Sequence, residues 1–127
     1  QGGSIGSRVR QFASQLDAEI EGLKVQEEDL IKRVQKTYYS MSESNELRDA
    51  LKSAIKSAEI ELESTKKSTE AGIRKQLDVL ISQQKALGIE RDFIEVKLNI
   101  FLYWLNLNML SSKLDRTTIK TVNSFLR

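Results

Sequence analysis

Few residues of this chain combine the type and spacing that chemistry needs. It holds no His and no Cys, so a Ser–His or Cys–His pair, a thiolate or imidazole zinc site and a Glu-x-x-His di-iron motif are all excluded. Glu27, Glu28 and Asp29 form the densest acid cluster. Consecutive residues on a helix point around it rather than toward one ion, so the cluster reads as a solvated face. Gly2, Gly3 and Gly6 make no phosphate loop. Lys66, Lys67, Arg74, Lys75, Lys113, Arg116, Lys120 and Arg127 are the cations that nucleic acid would use. No recognition motif accompanies them, and the aromatics lie elsewhere. The expectation is a non-enzymatic chain without cofactor or metal and without a nucleic-acid partner.

The residues that can act do so by packing. Phe93–Leu110, FIEVKLNIFLYWLNLNML, holds thirteen apolar residues in eighteen and the only Trp, Trp104. At about 100° per residue, two apolar faces run along it. Ile94, Leu98, Phe101, Leu105 and Met109 lie on one, and Phe93, Val96, Ile100, Tyr103, Leu107 and Leu114 on the other. Two faces require two neighbours. Phe93, Ile94, Leu98, Phe101, Tyr103, Trp104, Leu105 and Met109 are therefore the expected assembly interface, with the large aromatics its strongest contributors. Alternatively, the same aromatics fill a core within one chain.

Composition limits what can carry that stretch. The 127 residues are 30% charged and 6% aromatic, with no Pro, a mixture suited to long helices and not to the frequent turns of a sandwich or barrel. A net charge of +2 supplies no strong field. The charge is uneven, with 9 basic and 12 acidic residues in 1–63 and 11 and 6 in 64–127, which favours an antiparallel or head-to-tail arrangement. The absence of Cys points to an intracellular, cytoplasmic or nuclear, setting. The opening QGGSIGS, residues 1–7, reads as a cloning scar.

From Ser7 onward Val9, Phe12, Leu16, Ile20, Leu23, Leu30, Val34 and Met41 keep spacings of 3, 4 or 7, interrupted by Glu27 and Thr37. This predicts a coiled-coil helix over about 8–39, with Phe12, Leu16, Ile20, Leu23, Leu30 and Val34 as a secondary seam. Ser40–Asn45 is a candidate break, because Ser and Asn compete for backbone hydrogen bonds. Leu47, Leu51, Ile55, Ala58 and Leu62 resume the pattern. Residues 64–72, STKKSTEAG, are the second candidate break, and the 3/4 frame slips by one residue there. A turn at that point gives two nearly equal arms. Beyond it the seam is expected through Ile73, Leu77, Leu80, Gln84, Leu87, Ile94, Leu98, Phe101 and Leu105, with Gly88 marking a kink or a close approach. A turn at Ser111–Asp115 then leads into a short amphipathic helix over 115–127, with Ile119, Val122, Phe125 and Leu126 toward a partner or membrane surface.

The reading is an all-α protein whose long helices form a coiled-coil hairpin or bundle over 8–112. Its expected role is a structural scaffold that self-associates and docks other helical proteins, of the kind found in tethering, cytoskeletal or chromosome-segregation assemblies. A peripheral membrane-binding module using the C-terminal helix is the alternative. The uncharged run Leu98–Ser112 spans about 22 Å as a helix, too short for a hydrocarbon core of about 30 Å.

Overall fold

A computed structural model of the chain describes residues 2–126, the side chains of Ser124 and Phe125 apart. The fold is an all-α helical hairpin. Helix α1 is Gly2–Glu70, 69 residues, and α2 is Gln76–Leu126, 51 residues. The chain divides into two units. Tyr39–Trp104 forms one, and Gln1–Tyr38 with Leu105–Arg127 the other.

The turn between the helices is closed by its backbone. Gly72 takes φ +76°, where a Cβ would be strained. The Ile73 N–H donates to Ser68 C=O at 2.9 Å and the Gly72 N–H to Thr69 C=O at 3.0 Å. These are the two bonds of a Schellman motif, and they satisfy the last carbonyls of α1. At the start of α2 the Asp78 carboxylate accepts the Lys75 N–H at 3.2 Å, which is the N3-to-Ncap half of a capping box. Lys67 in the last turn of α1 and Asp78 in the first turn of α2 complement the helix dipoles.

In the Tyr39–Trp104 unit the arms run antiparallel. Ser82 Oγ donates to Thr65 Oγ1 at 3.4 Å, and Lys85 pairs with Glu61 at 3.0 Å. The residues turned inward recur every three or four positions on both arms. On α1 they are Met41, Ser44, Arg48, Leu51, Ile55, Ala58, Leu62 and Thr65; on α2 they are Val79, Ser82, Ala86, Ile89, Phe93, Val96, Ile100 and Tyr103. This is a heptad seam with many small members. Ala58, Thr65, Val79, Ser82 and Ala86 are buried toward the turn.

The other unit continues the same spacing, with Ile20, Leu23, Glu27, Leu30, Val34 and Thr37 on α1 and Leu107, Leu110, Leu114, Thr117 and Thr121 on α2. Asn106 Nδ2 donates to Thr37 Oγ1 at 3.3 Å. Thr37 donates in turn to Arg33 C=O at 2.8 Å, and Thr65, Thr69, Thr117 and Thr121 bond the carbonyl four residues earlier in the same way. Threonine can thus sit in a seam without an orphaned hydroxyl. Among the described residues no buried side-chain polar atom lacks a partner.

Several boundaries differ from the sequence reading. Helix α1 begins at Gly2, six residues before the expected start. It runs unbroken through Ser40–Asn45, because Met41, Ser44 and Arg48 keep the 3/4 frame and the low propensity of Ser and Asn costs only a few tenths of a kcal/mol each. The single turn lies at 71–75, overlapping the second candidate break. Ser111–Asp115 is helical, and the expected separate C-terminal helix is the end of α2, held in frame by Leu110, Leu114 and Thr117. Within the hairpin a Cβ at Gly88 would meet nothing within 4 Å.

Candidate assembly surface

The 3/4 pattern expected to form the inter-helix seam of α2 is not the one that meets α1. Ile73, Leu77, Leu80, Leu87, Ile94, Leu98, Phe101 and Leu105 are all exposed. The inward register is the second apolar face, where Val96 is buried and Phe93, Ile100, Tyr103 and Leu107 are half-buried. Small and polar residues share that register at Ser82, Ala86 and Thr117, so hydrophobicity alone points to the wrong stripe.

The expected interface residues therefore separate. Phe93 and Tyr103 lie half-buried along the intramolecular seam. Ile94, Leu98, Phe101, Trp104, Leu105 and Met109 form an exposed stripe along α2, with Trp104 54% and Ile94 64% exposed. The Phe101 and Trp104 rings stack at 6.3 Å with an interplanar angle of 20°. The Lys97 ammonium sits 4.7 Å from the Phe93 ring centroid. On α1, Ile20, Leu23, Leu30 and Val34 take their seam positions, whereas Phe12 and Leu16 are exposed. At the far end of α2, Ile119, Val122 and Leu126 are exposed, and the Phe125 side chain lies outside the described residues.

Two grooves flank the seam in the Tyr39–Trp104 unit. Met41, Arg48, Lys97, Ile100, Phe101 and Trp104 line one. Ser44, Leu47, Leu51, Asp92, Glu95, Val96 and Asn99 line the other. On α2, Lys97, Phe101 and Trp104 follow the inward direction and Asp92, Glu95 and Asn99 precede it at about 100° per residue, so the grooves open on opposite sides. These charged residues stand beside the seam, where coiled coils place partner-selecting charges.

The remaining candidates stay apart. Glu27 is half-buried in the seam, Glu28 is exposed, and Asp29 pairs with Arg33 at 3.0 Å. Among the described residues no cluster of acids could hold a metal ion. Lys113, Arg116 and Lys120 line a groove with Gln26, Asp29, Leu30 and Thr117, while Lys66, Lys67, Arg74 and Lys75 are exposed near the turn. Arg127 lies outside the described residues. No helix among the described residues is long and apolar enough to cross a membrane.

No curated protein and no solved structure matches the chain. Residues 1–110 match the family described as Outer membrane efflux protein. That match takes in the opening seven residues set aside as a scar, both arms of the hairpin and the apolar stretch. Covering most of the 127 residues, it shows that the chain belongs to the outer membrane efflux protein family.

Proposed function

We infer that this hairpin is a non-enzymatic structural element of an outer-membrane efflux assembly, packing side by side with further helices of the same kind through its exposed apolar faces. The observation that carries the reading is the placement of Ile94, Leu98, Phe101, Trp104, Leu105 and Met109 in water in the single hairpin. The chain exposes 9996 Å² at a mass of 14.5 kDa, against roughly 6,900 Å² for a compact domain of that mass. Apolar patches beyond a few hundred Å² are rare on monomers and mark contact sites. The family's name supplies the process, transport outward at an outer membrane, in place of a cytoskeletal or segregation role. It also argues against the intracellular setting. Absence of Cys discriminates poorly there, because a helical hairpin stabilised by its seam needs no disulfide.

Leu98→Asp with Leu105→Asp tests this reading in cells expressing the protein. The expected result is loss of the high-mass species on native gels and retention of an efflux-substrate dye, with the helical circular dichroism of the purified chain unchanged. Normal assembly and normal dye export would overturn it. One observation favours a second reading, contact with a lipid surface: Ile119, Val122 and Leu126 are exposed beside Lys120. Flotation with anionic vesicles checks it, and a chain that stays at the bottom of the gradient removes it.

A further inference from the structure

Three cations share one face of α2 in the unit formed by the outer ends of the arms. Lys113, Arg116 and Lys120 are spaced by three and four residues, so they fall within an arc of about 60° and spread over about 10 Å of the helix axis. They line a groove of about 340 Å³ to which α1 contributes Gln26, Asp29 and Leu30. That volume is in the range of small-ligand sites. Asp29 is the one carboxylate in the lining, and Arg33 already meets its charge at 3.0 Å. Neither Lys113 nor Arg116 has an ion-pair partner among the described residues. Half-buried Leu30 and buried Thr117 form the floor, and the Thr117 hydroxyl is occupied, donating to Lys113 C=O at 3.0 Å. The groove therefore holds an excess of positive charge beside a wall that offers no counter-charge of its own.

We propose that this groove is a binding site for a soluble anion carrying more than one phosphate group. A single phosphate reaches one or two of the cations, whereas a short run of phosphates follows the stripe and meets all of them. Arg116 stands between the two lysines and offers a planar fork that bonds phosphate oxygens in pairs, with the lysines as point charges on either side. Gln26 adds an amide donor from α1. A lipid headgroup presents the same phosphate chemistry, but the apolar residues at this end of α2 face another way. Ile119, Val122 and Leu126 centre about 120° round the helix from the three cations, so a helix lying on a bilayer by that stripe would hold the groove to one side. No aromatic ring lines the groove to stack a nucleic-acid base. The site is complete in one hairpin and does not depend on packing between copies. Its three cations lie beyond residues 1–110, the stretch that matches the family.

Titration calorimetry of the purified chain with sodium tripolyphosphate tests the site. The wild type is expected to bind it at least about tenfold more tightly than orthophosphate, with an affinity that falls as salt is raised. Lys113→Gln, Arg116→Gln and Lys120→Gln should each weaken binding about 2- to 5-fold, and the three together about tenfold or more. All three positions are exposed, and Gln keeps the helix propensity, so the fold is retained. Asp29→Asn should tighten binding, because it removes the one repelling carboxylate and releases Arg33. Lys66→Gln, Arg74→Gln and Lys75→Gln in one chain make the same change in net charge near the turn and should leave the affinity within about twofold. An equal loss in that chain would overturn the groove and leave general attraction between a cation-rich surface and an anion. A wild type that binds no tripolyphosphate at low salt would overturn the site. Binding to phosphatidylglycerol vesicles with none to tripolyphosphate would overturn the soluble source. Failure of the copies to self-associate leaves each of these outcomes unchanged.

Discussion

Truncating Val96 and Leu98, two residues apart on α2, separates the hairpin's own seam from its uncovered stripe. Val96 is 4% exposed against α1. Val96→Ala removes two carbon groups, about 1.6 kcal/mol of transfer free energy, and the residual cavity brings the cost to about 2 kcal/mol. That loss belongs to a single chain and does not vary with concentration. Leu98 is 56% exposed. Leu98→Ala removes three carbon groups worth about 2.4 kcal/mol when fully buried, and a little under half, about 1 kcal/mol, is charged to the isolated hairpin. The other half or so appears only where a neighbour covers the stripe. Urea unfolding followed by circular dichroism at two chain concentrations a hundredfold apart reads both. Val96→Ala should lower stability by the same amount at each concentration, and Leu98→Ala by roughly twice as much at the higher one. A cost below about 0.5 kcal/mol for Val96→Ala would refute the inward register. Equal costs for Leu98→Ala at both concentrations would refute the covering of the outer stripe.

Three further perturbations probe the hairpin itself. Gly72→Ala forces a Cβ into the left-handed region and should destabilise the chain by about 1–2 kcal/mol in the same unfolding assay. Gly88→Ala, at a helical position where a Cβ meets nothing within 4 Å, should raise stability by up to about 1 kcal/mol. A double-mutant cycle on Glu61 and Lys85, whose side chains are about half exposed, should give a coupling of no more than about 0.5 kcal/mol that fades in high salt.

Much of α1 was legible because its sequence offers one dominant apolar stripe. Ile20, Leu23, Leu30, Val34, Leu51, Ile55 and Leu62 name the register, and Glu27, Thr37, Arg48 and Ala58, which weaken the pattern, are seam members all the same. The turn was legible from the weakly apolar window 64–72 and from the one-residue slip of the frame. Helix α2 was ambiguous for a physical reason. It carries two apolar stripes, and periodicity ranks them by hydrophobicity rather than by which one meets α1. The inward stripe contains Ser82, Ala86 and Thr117, small residues that suit close packing but score poorly as a seam, so the outer stripe looked stronger. The break at Ser40–Asn45 failed because local propensity is a matter of tenths of a kcal/mol, whereas a continuous seam on both sides of the segment is worth far more. Only tertiary pairing showed that Arg48 and Lys97 share one groove and Asp92 and Glu95 another.

Self-association through the outer stripe of α2 is tested most directly by absolute mass in solution, from sedimentation equilibrium across a concentration series on the wild type and Trp104→Ala. The predicted result is a wild-type mass above that of one chain, rising with concentration, and a Trp104→Ala chain that dissociates without losing its helical circular dichroism. A wild type that sediments as one chain at every concentration would contradict it.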